Sequence, residues 1–168
     1  MDWIKTKLFG SGSKLSITSS FRYTDGNRFF HALLNSVNTE HRQSENSDIR
    51  HVICLKFRMK LSKLWEKRND RFSHLIAVCG NYDDYLLHLR NYAEEPTVSD
   101  SIFISEALKI NIIQIDGDRK RVHWPDTEYM DCVILYWKKG GCQAIFVDDL
   151  GIVPLHYFKI IISSTLPL

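Results

Sequence analysis

The pattern of apolar and polar positions predicts helices in the first two thirds of the chain. After the turn at residues 25–27, apolar residues recur at helical spacing and predict an amphipathic helix that buries Phe29, Phe30, Leu33, Leu34 and Val37. Residues 38–48 are polar and predict an exposed loop. Residues 49–68 interleave apolar and basic side chains, first at strand and then at helical spacing. Because most are good helix formers and no turn signal interrupts them, we predict one long helix with a basic, solvated outer face.

A further helical region precedes the strands. Residues 72–92 predict a helix that is broken near Gly80, and Pro96 ends the helical pattern. Asp100 is predicted to cap the next helix, residues 101–109, in which Glu106 is exposed. Strands are predicted at residues 110–115, 133–137, 144–147 and 156–162, with the turn at residues 138–141 joining the second and third into a hairpin. This order predicts an α+β domain with helices packed on a mixed sheet.

Length and composition fit one domain. The chain has 168 residues, of which 44% are hydrophobic, enough to bury a core. We predict a flexible lead-in or edge strand at residues 1–20, where residues 15–17 could form the strand, and a single domain at residues 21–168. The net charge of +2 gives no electrostatic bias toward nucleic acid or membrane. No apolar run reaches the length of a membrane span and no signal-peptide centre is visible, so a soluble, cytoplasmic protein is expected.

Cysteines and histidines give little sign of a metal site. The four cysteines form no Cys-x-x-Cys pair, so we predict neither zinc, nor disulfides, nor another cofactor, and expect most thiols to be buried: Cys54, Cys79, Cys132 and Cys142. Six histidines have no chemical context and are predicted at the surface: His31, His41, His51, His74, His88 and His123.

The turn before the first helix has residues suited to anion binding. Asp25, Gly26 and Asn27 are turn formers, and an Asp or Asn side chain can cap a helix start. The first amides of a helix have no partner inside it, so this position suits an anion or an oxyanion. The position where a nucleophile would be sought holds Arg28.

Asp-Gly-Asn followed by an aromatic helix resembles the active-site turn of the ovarian tumour (OTU) family of cysteine deubiquitinases, in which cysteine follows Asn. Here Arg28 stands at the cysteine position. The sequence His156-Tyr157-Phe158 is similar to the family's second landmark, with Phe158 in place of the polar residue that orients the histidine. Residues 103–116 resemble the family's helix leading into a buried strand, although the usual preceding Trp-Gly is absent. The three landmarks follow the family's order and span residues 23–158.

The resemblance implies an OTU fold, related to papain-like cysteine proteases, with an altered site. Arginine cannot act as a nucleophile, and the side chain of Phe158 cannot accept a hydrogen bond from His156. A cation also opposes the helix dipole, so Arg28 should pair with a carboxylate or turn to solvent. We therefore expect no intact catalytic set and a relic site made of Asp25, Gly26, Asn27, Arg28, His156 and Phe158. The implied function is a non-catalytic protein-interaction or scaffold module.

Two other functions stay open. One is an active deubiquitinase whose nucleophile has been substituted by Arg28, with Asp25 or another residue orienting His156. The other is nucleic-acid binding by the basic residues 50–71. For the interaction module, the partner is ubiquitin, a ubiquitin-like protein or another protein, and Arg28 would obstruct a threaded ubiquitin tail. OTU-like domains also occur in viral and mobile-element polyproteins, and the small size fits such an origin.

Overall fold

Helices occupy the first two thirds of the structure and strands the last third, apart from one early strand. The computed structural model describes residues 3–4, 8, 14–18, 26–67, 70–123, 129–155 and 157. The helices are α1 (Arg28–Val37), α2 (Thr39–Gln43), α3 (Ser47–Glu66), a 3-10 helix (Asp70–Leu75), α4 (Ile76–Cys79), α5 (Tyr82–Arg90) and α6 (Val98–Leu108). The strands are β1 (Leu15–Ile17), β2 (Asn111–Asp116), β3 (Arg121–His123), β4 (Asp131–Lys138), β5 (Gly141–Val147) and β6 (Val153–Pro154).

The strands form one mixed sheet in the order β1-β5-β4-β2-β3, with β6 also pairing with β4. The β2–β4 pair is parallel and the other pairs are antiparallel. Both β2 and β4 place alternate side chains in two different hydrophobic clusters, which explains their nearly continuous apolar sequences. The predicted α+β class, the long helix and the β4–β5 hairpin are confirmed.

Helices cover one face of the sheet, and residues of the N-terminal segment cover the other. Phe29, Leu33 and Phe103 pack on the helical side with Val133 and Leu135 of β4. On the opposite side, a cluster includes two residues that precede β1, together with residues of four strands: Ile4, Leu8, Ile113, Ile134, Ile145 and Val153. Residues 15–17 form the strand β1 beside β5, and Ile4 and Leu8 are buried. A domain boundary at residue 20 stays a prediction.

Several predicted boundaries were wrong. The predicted loop at residues 38–48 contains α2, which Asn38 caps by accepting from the His41 amide at 2.7 Å. Helix α6 begins at Val98 because Thr97 and Asp100 form a reciprocal capping box, so Asp100 lies inside the first turn. Glu106 is half-buried. Of the predicted strand at residues 156–162, only Tyr157 is described, and its backbone is helical.

His31 and His41 are buried, contrary to the surface position predicted for them. His41 Nδ1 lies 2.9 Å from Asn35 Oδ1, and its Nε2 lies 2.9 Å from His31 Nδ1. Burial, with a smaller effect of nearby Arg50, lowers the pKa of His41 to about 4, so this ring is neutral near pH 7. An amide oxygen only accepts, so His41 donates from Nδ1, accepts at Nε2, and receives the Nδ1 proton of His31. This arrangement of hydrogen bonds requires an uncharged His41 ring, because only then can Nε2 accept.

The basic residues of α3 are divided between solvent and the interior. Arg50 and Arg58 are buried, which corrects the prediction of a wholly solvated basic face. Arg50 folds back to donate to the carbonyls of Ser44 and Arg42. The exposed basic side chains of the helix and its C-cap are lysines only: Lys56, Lys60, Lys63 and Lys67.

Arg58 joins α3 to two segments that are distant in sequence. Its side chain is 1% exposed, and Nη1 donates to Asn27 Oδ1 at 2.7 Å, just before α1. Nη2 donates to the carbonyl of Asn91 at 3.0 Å, and Nη1 lies within reach of the carbonyls of Tyr92 and Glu94. We call residues 91–97, between α5 and α6, the cleft loop. Arg58 therefore holds the turn before α1 against this loop.

Replacing Arg58 with methionine should destabilise the protein. The change leaves buried carbonyls and an amide oxygen without their donor, so we expect the free energy of unfolding to fall by about 2–4 kcal/mol. Urea titration followed by circular dichroism measures this change. The matched control is Lys60→Met on the exposed face of the same helix, with an expected change within about 0.5 kcal/mol. Equal stabilities of the two variants would contradict the role given to Arg58.

Stability should also fall in mild acid because of His41. The unfolded histidine binds a proton near pH 6.5, whereas the folded one resists protonation down to about pH 4. The unfolded state therefore binds more protons between these values, so the contribution is present above pH 6.5 and is lost as pH falls toward 4. The full loss from this group is up to about 3 kcal/mol. Urea titrations of the wild type and His41→Gln at several pH values should show a flatter profile for the variant.

Candidate functional site

The turn before α1 is packed tightly against the cleft loop. A Cβ added to Gly26 would lie 2.7 Å from the carbonyl carbons of Ala93 and Glu94, so only glycine fits there. Asn27 is buried, and its side chain makes no capping bond to α1. Its oxygen accepts from Arg58, and its Nδ2 donates to the carbonyl of Tyr92 at 2.9 Å. The expected Asn cap is thus replaced by contacts that fix the turn to the cleft loop.

Arg28 is the first residue of α1 and crosses to two other segments. Its Nε donates to Glu95 Oε1 at 2.8 Å, and its Nη2 also bonds to that oxygen. Its Nη1 donates to the carbonyl of Gly140 in the β4–β5 turn. Helix α1 has no acidic residue in its first turn, so Glu95 supplies the negative charge that its N-terminus favours. As the dipole argument predicted, Arg28 is paired with a carboxylate.

The hairpin turn places a second set of groups beside Arg28. Lys139 and Gly140 both have left-handed backbones, with φ of 49° and 72°, as a two-residue hairpin turn requires. Trp137 and Cys142 lie opposite each other on β4 and β5, and Trp137 stacks on Phe29 with ring centres 6.5 Å apart. The hairpin therefore packs on α1 and holds its turn over the helix start.

The pKa of the Cys142 thiol is affected by the charges of Glu95 and Arg28. Burial raises its pKa well above the ordinary value; Glu95 raises it further, and Arg28 opposes the shift. A thiol in this state is protonated near neutral pH and is a weak nucleophile. Cys142 therefore lacks the lowered pKa that a catalytic cysteine needs.

A histidine network supports the other end of the cleft loop. His88 of α5 places Nδ1 2.6 Å from Glu94 Oε2 and Nε2 2.8 Å from Asp100 Oδ2. The buried Asp100 also accepts from the Tyr85 hydroxyl at 3.0 Å and from the backbone N–H and hydroxyl of Thr97. Burial tends to lower the pKa of His88, but its bonds to Asp100 and Glu94 raise it overall. His88 thus ties the cleft loop to α5 and α6.

Three of the six predicted site residues are brought together, and three cannot be placed. Gly26, Asn27 and Arg28 form the turn and helix start described above. Asp25, His156 and Phe158 lie outside the described residues, and Tyr157 between the last two is exposed. Their roles stay predictions.

Sequence reasoning missed the partners of Arg28 and Asn27. From the sequence, Pro96 predicts only the end of a helical pattern, yet the two acidic residues before it, Glu94 and Glu95, are natural partners for an arginine. Arg58 is one of several basic residues in α3, and no local signal separates it from its solvated neighbours. Its role is visible only once the cleft loop is folded against the helix.

Among the described residues, nothing indicates a metal site, a disulfide or a membrane-spanning helix. Among them, no group of three or more His, Cys, Asp or Glu could hold a metal ion. The four cysteines are free thiols. Within the described part of the chain, no helix combines the length and the apolar character needed to cross a bilayer.

Comparison with known proteins identifies the fold. The sequence matches no family model and no curated protein. Among solved structures, an OTU domain in complex with ubiquitin gives a TM-score of 0.61 at 15% identity, over 90% of this chain and 83% of that one. The OTU domain of OTUD1 gives 0.54 at 16% identity, over 79% and 85%. The viral OTU domain protease from Dera Ghazi Khan virus gives 0.53 at 14% identity, over 81% and 90%.

Each alignment covers most of this chain and most of the matched structure. At 14–16% identity, the similarity shows the fold alone. The common feature of the three matched structures is the OTU domain. The chain therefore has an OTU-like fold.

Proposed function

We propose that this chain is a non-catalytic OTU-like module that binds a protein partner. The observation that carries the proposal is the position of Arg28. It lies at the N-terminus of α1, where the resemblance places the nucleophile, and it is bonded to both Glu95 and Gly140. Its side chain is 34% exposed, so it is partly accessible to solvent between the cleft loop and the hairpin turn.

The chemistry of the neighbouring groups supports the absence of catalysis. A cysteine peptidase needs a thiolate, a base and donors for the oxyanion. Arg28 cannot supply the first, and the protonated Cys142 is a poor replacement. From the sequence, Phe158 also deprives His156 of the polar group that would orient it. Arg28 and Phe158 are two independent changes at the positions of the nucleophile and of the orienting residue. They fit a naturally inactive domain better than an active enzyme in which only the nucleophile has been replaced.

Ubiquitin or a ubiquitin-like protein is the partner class that we propose. Support comes from the similar OTU domain that was solved in complex with ubiquitin. Because Arg28 spans the cleft from α1 to the hairpin turn, a C-terminal tail threaded past this point would have to displace two contacts. We therefore propose that the partner binds outside the cleft. A cytoplasmic location belongs to the same proposal.

Reaction of Arg28→Cys with a ubiquitin whose C-terminus carries a thiol-reactive electrophile tests the loss of catalysis. An oriented general base contributes roughly a hundredfold or more to rate, so the variant should be labelled at least about a hundredfold more slowly than an active OTU domain. Intact-protein mass spectrometry follows the adduct over time. Wild type should not be labelled.

Two controls make the labelling experiment specific. Arg28→Ser removes the same ion pair without adding a thiol, and Cys142→Ser in the Arg28→Cys background removes the neighbouring thiol. Labelling of Arg28→Cys as fast as an active OTU domain, retained after loss of Cys142, would overturn the proposal. The chain would then be a deubiquitinase whose nucleophile is replaced by Arg28.

Dissociation constants for two forms of ubiquitin distinguish binding at the surface from threading of the tail through the cleft. Wild type should bind full-length ubiquitin and ubiquitin lacking its last residues with dissociation constants equal within about twofold, since the tail adds no contact. Isothermal titration calorimetry or an NMR titration measures both. Loss of binding on removal of the tail would show that the cleft is used, and no binding to either form would exclude ubiquitin as the partner.

A further inference from the structure

The cleft loop is fastened at both ends by charged groups. At one end, Arg58 donates to the carbonyls of Asn91 and Glu94. At the other, His88 bonds to the Glu94 side chain and to Asp100 in the first turn of α6. Glu95, the partner of Arg28, immediately follows Glu94. The position of Glu94 therefore bears directly on the contact between the cleft loop and Arg28.

The geometry requires a charged His88. Both of its ring nitrogens face carboxylate oxygens, at 2.6 and 2.8 Å, and a carboxylate only accepts hydrogen bonds. Only the imidazolium carries a proton on each nitrogen. A neutral His88 would have one N–H and one lone pair, so one of the two carboxylates would lose its donor.

Glu94 is the carboxylate that would lose it. The Asp100 side chain is 1% exposed and needs its donors, because an unsatisfied buried charge is costly, whereas the Glu94 side chain is 50% exposed and can turn to water. A neutral His88 would therefore keep its proton on Nε2 toward Asp100. Its Nδ1 lone pair would then face Glu94 Oε2 across 2.6 Å, an arrangement that repels.

We propose that the protonation state of His88 regulates the cleft: the charged ring holds the cleft loop over Arg28, and the neutral ring releases the loop. The proposal rests on the proposed function in that the released loop would alter the surface presented to the protein partner. The coupling path is short. Glu94 and Ala93 pack against Gly26, and Glu95 holds Arg28.

The other groups around His88 keep their charge state near neutral pH. From α4, burial raises the pKa of the Cys79 thiol to about 11, and on α5 burial and the charge of Asp100 raise the pKa of Tyr85 far above its usual range. The hydrogen bond from His88 lowers the pKa of Glu94, and Arg58 of α3 stays charged. Asp100 of α6 bonds to His88, and the neutral Asn91 of the loop bonds to Glu94.

The sign of the effect follows from the direction of the shift. The folded pKa of His88 lies above its unfolded value, so the charged ring stabilises the loop below about pH 6.5. This contribution is lost as pH rises through the folded pKa. His41 acts in the opposite direction, since it destabilises the whole fold in acid. The effect of His41 alone would therefore lower the protection of the loop at lower pH.

Hydrogen–deuterium exchange of the cleft loop tests the proposal. After correction for intrinsic exchange, wild-type amides of residues 91–97 should be about threefold to tenfold better protected at pH 6 than at pH 8.5. His88→Gln cannot be charged and should show low protection at both pH values. The matched control His74→Gln removes an exposed histidine and should behave as wild type.

A second variant keeps the test decisive if His88→Gln fails to fold. Glu94→Gln leaves the His88–Asp100 contact in place and should remove the pH dependence of loop protection. Equal wild-type protection at both pH values, or a pH dependence that survives Glu94→Gln, would overturn the proposal. The readout involves neither ubiquitin nor labelling, so its failure would leave the proposed function to be judged by those experiments.

Discussion

The site depends on the burial of one arginine. Arg58 lies in the core of the helical side, with its guanidinium 4.5 Å from the ring centre of Phe30 and 5.3 Å from that of Tyr92. Its donors meet the carbonyls and the amide oxygen of two segments that are distant in sequence. Because those acceptors belong to the cleft loop and to the turn before α1, the side chain that fills the core also fixes these two segments relative to each other. The close approach at Gly26 is part of the same arrangement.

Much of the fold could be predicted because its signals are local. The strands β2 and β4 are apolar on both faces, and the two-residue turn between β4 and β5 is marked by Gly140, so alternation and turn chemistry suffice there. The buried polar groups could not be predicted in the same way. His31 and His41 are ten positions apart, and Arg58 meets Asn27 across 31 positions, so their burial depends on partners that the helical pattern does not name. In each case a tertiary contact overrode the ordinary preference of the residue for water.

The candidate site shows the same division between local and distant causes. That Arg28 needs a negative partner follows from the direction of the α1 dipole and could be stated from the sequence. Which carboxylate would serve could not, because Glu95 reaches Arg28 only when the cleft loop is held in place by Arg58 and His88. The need for a negative partner at position 28 can thus be predicted from the sequence, whereas the identity of that partner depends on the fold.

The surroundings of position 28 suit an arginine and oppose a thiolate. Glu95 places a carboxylate beside the helix start, where a negative charge next to a thiol would raise its pKa and so counteract the effect of the helix dipole. Cys142 already shows this influence, since Glu95 raises the pKa of its thiol while Arg28 opposes the shift. A cysteine placed at position 28 would lack the compensating guanidinium and would face Glu95 alone. The partner of Arg28 is therefore itself a reason why restoring the nucleophile need not restore its reactivity.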